Sequence, residues 1–269
     1  MADNLHPDLK NRPVAWRRLL LPNEHGSWAF FLEPLFLGLL VAFSPAALWL
    51  SLAVFLGFIS RKPAKFSFAT ASPSPLSLRA PARLLLLALS LGAAFCLVGA
   101  IAVSRWQVLI PVIVCFPALL VFALREREGQ TRALTTELIA TGLCSFPLVS
   151  IALADKWDLA SALSLGCVSL ARAWPSLLFV RACLRRARGE TNQLLPALLA
   201  QVFAPLVLAG LAQQNLVPPA IVALNAVLSL RACFFLLSNK SNFTAKQLGI
   251  IEVGWGTLYV LGATAVYRC

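Results

Sequence analysis

Long apolar stretches recur along the whole chain and limit what it can fold into. A membrane-spanning helix needs about 20 mostly apolar residues, and nine stretches approach or reach that length. They are residues 27–44, 46–60, 84–104, 107–124, 133–154, 159–182, 194–213, 217–237 and 248–267. Only 13% of the residues are charged, whereas soluble domains carry roughly a quarter. The sequence therefore predicts an all-α, polytopic membrane protein with about nine transmembrane helices.

Most of the basic residues are predicted to lie on one side of the membrane. With nine spans, the N-terminus and the loops after spans two, four, six and eight share that side, and they carry seventeen of the 23 Lys and Arg residues. The opposite side carries Arg105, Lys156 and Arg268. Because basic loops stay in the cytoplasm, we expect a cytoplasmic N-terminus. The net charge of +12 then reflects topology, and we expect no binding to nucleic acid.

The polar residues 1–26 precede the first span and contain the basic stretch KNRPVAWRR. No apolar core of the signal-peptide type comes before that span, so the segment is expected to stay in the mature protein. Trp16, Arg17 and Arg18 among leucines are typical of a short interfacial helix, and they suit a juxtamembrane basic anchor equally well. Residues 27–269 are expected to form a single transmembrane helical domain.

Ionisable residues inside the predicted spans are the strongest functional signal. An ionisable side chain near the centre of a membrane costs at least about 2.5 kcal/mol, so such residues usually mark a site. Several of them fall in the cytoplasmic half of their spans, and we expect these to surround a polar cavity open to the cytoplasm. They are Glu33, Glu137, Arg172 and Glu252, with His25 and Arg231 as further candidates.

Plainer interpretations of these charges remain open. A shallow arginine can reach the headgroups along its aliphatic stem, which accounts for Arg181 and could account for Arg231. Paired charges can also hold helices together without binding a ligand. Arg172 is harder to explain by reach alone, because it lies nine residues, roughly 13 Å, from Arg181. His25, next to Gly26, is either a functional base or a hydrogen-bonded helix cap.

Two basic stretches, SRKPAK (60–65) and RRARGETN (185–192), follow spans two and six and are predicted to be loops. Clusters of Lys and Arg can hold a phosphate or diphosphate, which makes Arg61 and Lys62 candidates for anion binding. Simple topology signalling is the alternative.

The predicted roles divide these residues into two groups. Catalytic, proton-handling roles are predicted for His25, Glu33, Glu137 and Glu252, and substrate-binding roles for Arg61, Lys62, Arg172, Arg181 and Arg231. The seven cysteines stand singly in the sequence. They are expected to be small packing residues rather than metal ligands or disulfide partners, and the sequence identifies no cofactor motif.

The stretch PNEHGSWAFFLEPLFLGLL (22–40), followed by SRKPAKF (60–66), resembles the YwiC-like family of bacterial membrane proteins. The EHGxW core, from Glu24 to Trp28, carries most of the likeness, and KQLGIIEVGWG (246–256) is also similar. The resemblance implies a multi-pass protein of the bacterial cytoplasmic (inner) membrane, and it names no reaction.

Nine spans with long loops after spans two and six also resemble the plan of UbiA-type intramembrane prenyltransferases. That likeness implies a UbiA-like helical bundle. Those enzymes carry Asp-rich motifs in both loops, which hold Mg²⁺ and the isoprenoid diphosphate, whereas residues 60–83 here contain no Asp or Glu. Mg²⁺ is therefore a doubtful cofactor, and no metal site is assigned.

The leading hypothesis is a cavity that binds or transfers an isoprenoid- or lipid-like substrate with an anionic head, such as an isoprenoid or lipid phosphate, within membrane lipid. Under it, Arg172, Arg61 and Lys62 hold the anion, and His25 or Glu33 handles protons. Two alternatives stay open. One is a small-molecule or proton-coupled transporter, and the other is a non-catalytic subunit or assembly factor of a membrane complex.

Overall fold

The computed structural model describes residues 25–68, 79–130, 133–190, 194–238 and 244–269. Every regular element within these ranges is a helix. The α-helices are α1 (His25–Val41), α2 (Pro45–Phe68), α3 (Arg79–Ala102), α4 (Ile110–Val114), α5 (Phe116–Arg127), α6 (Leu134–Ala154), α7 (Leu159–Arg186), α8 (Leu194–Gln213), α9 (Pro219–Leu237) and α10 (Ala245–Arg268), and a 3-10 turn, Trp106–Leu109, precedes α4.

The predicted fold class is confirmed, since the chain is an all-α polytopic membrane protein. Within the described ranges, eight helical stretches are long and apolar enough to cross a membrane, and they correspond to predicted spans two to nine. Predicted span one is α1, a shorter helix of 17 residues. At 1.5 Å per residue it reaches about 25 Å, slightly less than the hydrocarbon core of roughly 30 Å. Predicted span four is interrupted at Cys115, between α4 and α5.

Contacts between helix ends show which ends of the helices lie on the same side of the bundle. At one end, called the basic end below, Arg61, in the last two turns of α2, meets Glu126 in the last turn of α5. At the other end, called the opposite end, the Nε of Arg268 on α10 donates to the carbonyl oxygen of Leu40 on α1, at 2.8 Å. The bundle therefore gathers Lys and Arg residues at one end, as the predicted topology requires.

Burial separates a central helix from lipid-facing ones. Of the residues in the apolar stretch of each helix, 56% are buried in α7 but only 11% in α3. On α3 the side chains of Leu84, Leu91 and Phe95 are exposed. A soluble protein would rarely expose a continuous apolar surface of this kind, so these side chains face the hydrocarbon. The central α7 packs against α6, α8, α9 and α10 and buries Ser164, Ser169, Arg172 and Ser176.

The prediction of loops at 60–65 and 185–192 is wrong in part. α2 continues to Phe68 and α7 to Arg186, so that Arg61 and Lys62 lie on the last turns of a helix. Lys and Arg are good helix formers, so both helices can extend beyond the apolar layer as polar turns. Residues 1–24, which include most of the predicted interfacial segment, lie outside the described residues, as do 69–78.

Local sequence signals explain how the helices that carry the site begin. Asp158 precedes α7, and its carboxylate accepts a hydrogen bond from the N–H of Ser161. Thr244 and Gln247 form a reciprocal capping box at the start of α10. Both arrangements satisfy N–H groups that a helix start leaves without partners.

Candidate functional site

Four charged side chains from four helices meet in the basic half of the bundle. They are Glu33 on α1, Arg172 on α7, Arg231 on α9 and Glu252 on α10, and together they are called the charge cluster below. Glu252 is the centre, because its carboxylate lies 3.4 Å from Nη1 of Arg172 and 2.5 Å from Nη2 of Arg231. Nη2 of Arg172 also donates to the main-chain oxygen of Glu252, at 3.1 Å.

The two carboxylates of the cluster are held unequally. Glu252 accepts a hydrogen bond from the hydroxyl of Ser176 in addition to its two arginine contacts. The Oε1 of Glu33 lies 3.8 Å from Nη2 of Arg172, beyond hydrogen-bonding distance. Glu33 is thus the loosely held member of a pair of acids that share one guanidinium.

The cluster is shielded from solvent and formally neutral when all four groups are ionised. Side-chain exposure is 7% for Arg172, 9% for Glu252, 12% for Arg231 and 17% for Glu33. Charges buried this far remain tolerable only if opposite charges and hydrogen bonds compensate them. Removal of one member therefore leaves an uncompensated charge inside the bundle.

Aromatic rings cover Arg231. Its guanidinium carbon lies 5.1 Å from the ring centres of both Phe179 and Trp255, within the range of a cation–π contact. Because its Nε and Nη1 find no hydrogen-bond partner in the described part of the chain, these rings and Glu252 provide most of its stabilisation.

A small cavity lies beside Glu33 and Arg172. Its volume is about 10 Å³, which is room for a single water molecule at most. The residues that line it include Pro34 on α1, Ser169 on α7 and Tyr259 on α10. The cluster is therefore closed in this conformation, and an amphipathic ligand can enter only if the helices separate.

Gly256 allows Glu33 to approach α10. A Cβ atom at position 256 would overlap the Glu33 carboxylate. Gly254 lies on another face of the same helix, and a Cβ atom there would meet nothing within 4 Å. Gly256 lies one turn after Glu252, on the same face of α10, so the missing side chain makes the space in which the second carboxylate sits.

Side chains of neighbouring helices form hydrogen bonds with the main chain of α7 around a proline. Pro175 has no N–H and leaves the carbonyl oxygen of Ala171 without its helical partner. The Nδ2 of Asn225 on α9 donates to that oxygen, at 3.1 Å, and the Nε2 of Gln201 on α8 donates to the carbonyl of Pro175, at 2.9 Å. These bonds hold the segment of α7 that carries Arg172 in a fixed position.

Two further predicted residues form a separate pair. Arg181 and Glu137 are joined by a contact of 2.6 Å between the end of α7 and the start of α6. Close by, the indole N–H of Trp174 donates to the carbonyl of Leu138. The structure therefore pairs Glu137 with Arg181 rather than with Arg172, and the pair links α6 to α7 at the basic end.

The remaining predicted residues lie on other elements. The Nη2 of Arg61 lies 3.2 Å from the Oε1 of Glu126. The guanidinium carbon of Arg61 lies 4.5 Å from the ring centre of Phe122. Lys62 follows it on α2. His25 begins α1, and its side chain lies outside what the structure describes. In the described ranges, no three His, Cys, Asp or Glu side chains come close enough together to hold a metal ion.

Sequence reasoning missed several residues that shape the cluster. Ser176, Asn225, Trp255 and Gly256 contact charged members or hold their helices. A signal was available for two of them, because Trp255 and Gly256 follow Glu252 by three and four residues and so share its face of a helix. No sequence pattern marks Ser176 or Asn225.

Residues 21–152 match the model of a protein family described as YwiC-like protein. The matched region covers α1 to most of α6, so it includes Glu33 and Glu137 but none of the three cluster residues on α7, α9 and α10. No curated protein and no solved structure matches the chain. Over residues 21–152 the chain is therefore similar to the YwiC-like family, and the UbiA-like architecture stays a prediction.

Proposed function

We propose that this YwiC-like protein is a proton-coupled transporter of an amphipathic anion, in which Glu33 takes up the proton and Arg172 binds the anionic head. One observation carries the proposal. Arg172 is shared by two carboxylates, of which Glu252 is held by several close contacts and Glu33 by a single contact at 3.8 Å. Glu33 loses fewer contacts than Glu252 when it is protonated, so Glu33 is the carboxylate that can change its charge.

The charge balance explains why a proton and an anion would bind together. With all four groups ionised, the cluster carries no net charge. A proton on Glu33 removes one negative charge and frees one side of the Arg172 guanidinium. A monovalent anion that binds there restores neutrality, so each of the two ligands favours the binding of the other.

The surroundings of the cluster suit an amphipathic ligand rather than a fully hydrated ion. Phe30, Leu37 and Val260 line the small cavity together with the charged groups. An isoprenoid or other lipid-like chain is the kind of tail that such side chains can bury. The ligand needs more room than the closed cavity offers, so transport requires α1 to move away from α7 and α10.

Binding of a defined probe tests the proposal. Hexyl phosphate is added to the purified protein in an uncharged detergent, and the shift in unfolding temperature is measured from alkaline to acidic pH. Stabilisation by hexyl phosphate is expected to increase as the pH falls, because a protonated Glu33 no longer competes for Arg172. Glu33→Gln, which mimics the protonated acid, should lose that increase and keep only the pH dependence that comes from the second ionisation of the phosphate itself.

A matched control is the exposed acid Glu190, which pairs with Arg185 at 3.6 Å. Glu190→Gln should keep the pH dependence of the parent protein. The proposal is wrong if Glu33→Gln retains that pH dependence, or if Arg172→Lys binds hexyl phosphate as tightly as the parent.

Access to the cluster separates transport from the other hypotheses. A cysteine at Ser169, in a variant without the native cysteines, would be labelled from both sides of the membrane in a transporter. A transferase of the UbiA type would show labelling from the cytoplasm alone. A non-catalytic subunit would instead bind no probe and purify with a stoichiometric partner.

A further inference from the structure

A second cavity lies at the opposite end of the bundle, remote from the charge cluster. Its volume is about 440 Å³, within the usual range of small-molecule sites. It opens between the start of α7, the turn from α8 to α9 and the end of α10. The lining residues are Trp157, Asp158, Ser161, Tyr267 and the run from Asn215 to Pro219.

The cavity presents one uncompensated negative charge. Asp158 is exposed and has no salt-bridge partner in the described part of the chain. Hydrogen bonds from Ser161 hold the pKa of Asp158 below its ordinary value, so the carboxylate is ionised at neutral pH. Arg268, at the end of α10, is directed to the carbonyl of Leu40 on α1.

Two aromatic rings stand next to this carboxylate. The rings of Trp157 and Tyr267 lie 5.9 Å apart, with their planes inclined at 43°, so they form two walls rather than a flat stack. The hydroxyl of Tyr267 is buried and has no hydrogen-bond partner among the described residues. The hydroxyl is therefore turned away from the cavity, and Tyr267 presents its ring rather than its oxygen to a ligand.

Two helix-end turns border the cavity. Lys156 and Asn215 adopt left-handed backbone conformations, with φ of 66° and 57°. Both residues end a helix in the common left-handed turn, in which the N–H of Trp157 bonds to the carbonyl of Ala152 and the N–H of Leu216 to that of Leu211. The turns that carry Trp157 and Leu216 are therefore held by their own backbone hydrogen bonds.

We propose that this cavity binds a small organic ammonium ion, with its charge against Asp158 and its substituents against Trp157 and Tyr267. A carboxylate together with two aromatic faces is the combination that stabilises substituted ammonium groups. An inorganic cation would gain nothing from the rings, and an anion would be repelled by Asp158. The ammonium group belongs either to a free amine or to the headgroup of a lipid in the adjoining leaflet.

Choline is a suitable probe, with potassium chloride at equal ionic strength as the reference. Both are added to the full-length protein in an uncharged detergent, and binding is followed by unfolding temperature and titration calorimetry. Choline is expected to bind saturably, and Asp158→Asn should weaken its affinity about tenfold or more. Asparagine also caps helices well, so this variant keeps the start of α7 intact.

Two further variants make the result specific. Tyr267→Leu removes one of the two aromatic faces, and it should weaken the binding of choline several-fold. Asp155→Asn removes a neighbouring carboxylate that does not line the cavity, and it should bind choline like the parent. The proposal is overturned if choline stabilises no better than potassium, if Asp158→Asn binds it unchanged, or if phosphate binds in its place.

Nanodiscs distinguish the two sources of the ammonium group. If a lipid headgroup is the ligand, free choline should bind about tenfold more weakly in phosphatidylcholine discs than in phosphatidylglycerol discs, because the lipid competes for the site. Equal affinity in both would assign the site to a free amine. Neither result depends on Glu33 or Arg172, so failure of this site leaves the proposed transport function untouched.

Discussion

Arg172 binds Glu252 twice, at the carboxylate and at the main-chain carbonyl oxygen. The two residues lie 80 positions apart in the sequence and join the central helix α7 to the last helix, α10. A side chain that binds both parts of its partner fixes the rotation of one helix against the other as well as their distance. The charge cluster therefore depends on Glu252 more than on any other member.

Loss of the Glu252 charge should destabilise the protein strongly. Glu252→Gln leaves Arg172 and Arg231 buried, with only Glu33 to compensate two positive charges. Removal of one partner from a buried ion pair costs about 3 kcal/mol or more. We expect a loss of this size in the free energy of unfolding, measured in mixed detergent micelles. Glu190→Gln, which breaks an exposed ion pair, should cost less than about 1 kcal/mol.

Gly256 should control the contact between Glu33 and Arg172. In Gly256→Ala the new Cβ displaces the Glu33 carboxylate, so a further Glu33→Gln change has little left to remove. At alkaline pH we expect Glu33→Gln to cost about 1 kcal/mol in the parent and much less in the Gly256→Ala background.

Gly254→Ala supplies the control for that cycle, because nothing lies within 4 Å of its Cβ position. It should leave the cost of Glu33→Gln unchanged and should itself be neutral or stabilising by up to about 1 kcal/mol. An equal cost of Glu33→Gln in all three backgrounds would show that Glu33 does not occupy the space beside Gly256.

Asn225 and Pro175 should show coupled effects on stability. Asn225→Leu removes the donor to the Ala171 carbonyl and is expected to cost about 1 kcal/mol. In Pro175→Ala, the new N–H of residue 175 can bond that carbonyl within α7, so Asn225→Leu should then cost less. A double-mutant cycle on the free energy of unfolding measures the difference, and strict additivity would refute this account of the proline.

The spans could be predicted from the sequence because a membrane imposes a minimum apolar length on each helix. The depths of the charged residues could be predicted for the same reason, since position along a helix gives depth directly. Depth does not specify which helices are neighbours. The sequence therefore predicts one cavity that contains both Glu137 and Arg172. In the structure α6 packs against the end of α7, and Glu137 forms its ion pair with Arg181.

Residues that act through shape were the hardest to predict. Gly256 matters because the carboxylate of Glu33, 223 positions earlier in the chain, occupies the space that a Cβ atom at position 256 would fill. Asn225 matters because a proline on another helix leaves one carbonyl without a partner. Neither need is visible in the local sequence, since each arises only when two distant helices pack together.

The pair formed by Glu137 and Arg181 should behave as a stabilising link rather than as part of the charge cluster. Its side chains are 30% and 15% exposed, so solvent screens the interaction and its worth is expected to be about 1 kcal/mol. Arg181→Met keeps most of the aliphatic packing and should lower the free energy of unfolding by that amount. Glu137→Gln should have a similar effect, and the double variant should cost little more than either single one. The cost should shrink at high salt, whereas the binding of hexyl phosphate should be unchanged in both variants. If Arg181→Met instead abolishes that binding, the pair belongs to the ligand site, and the separation of the two groups of charges is wrong.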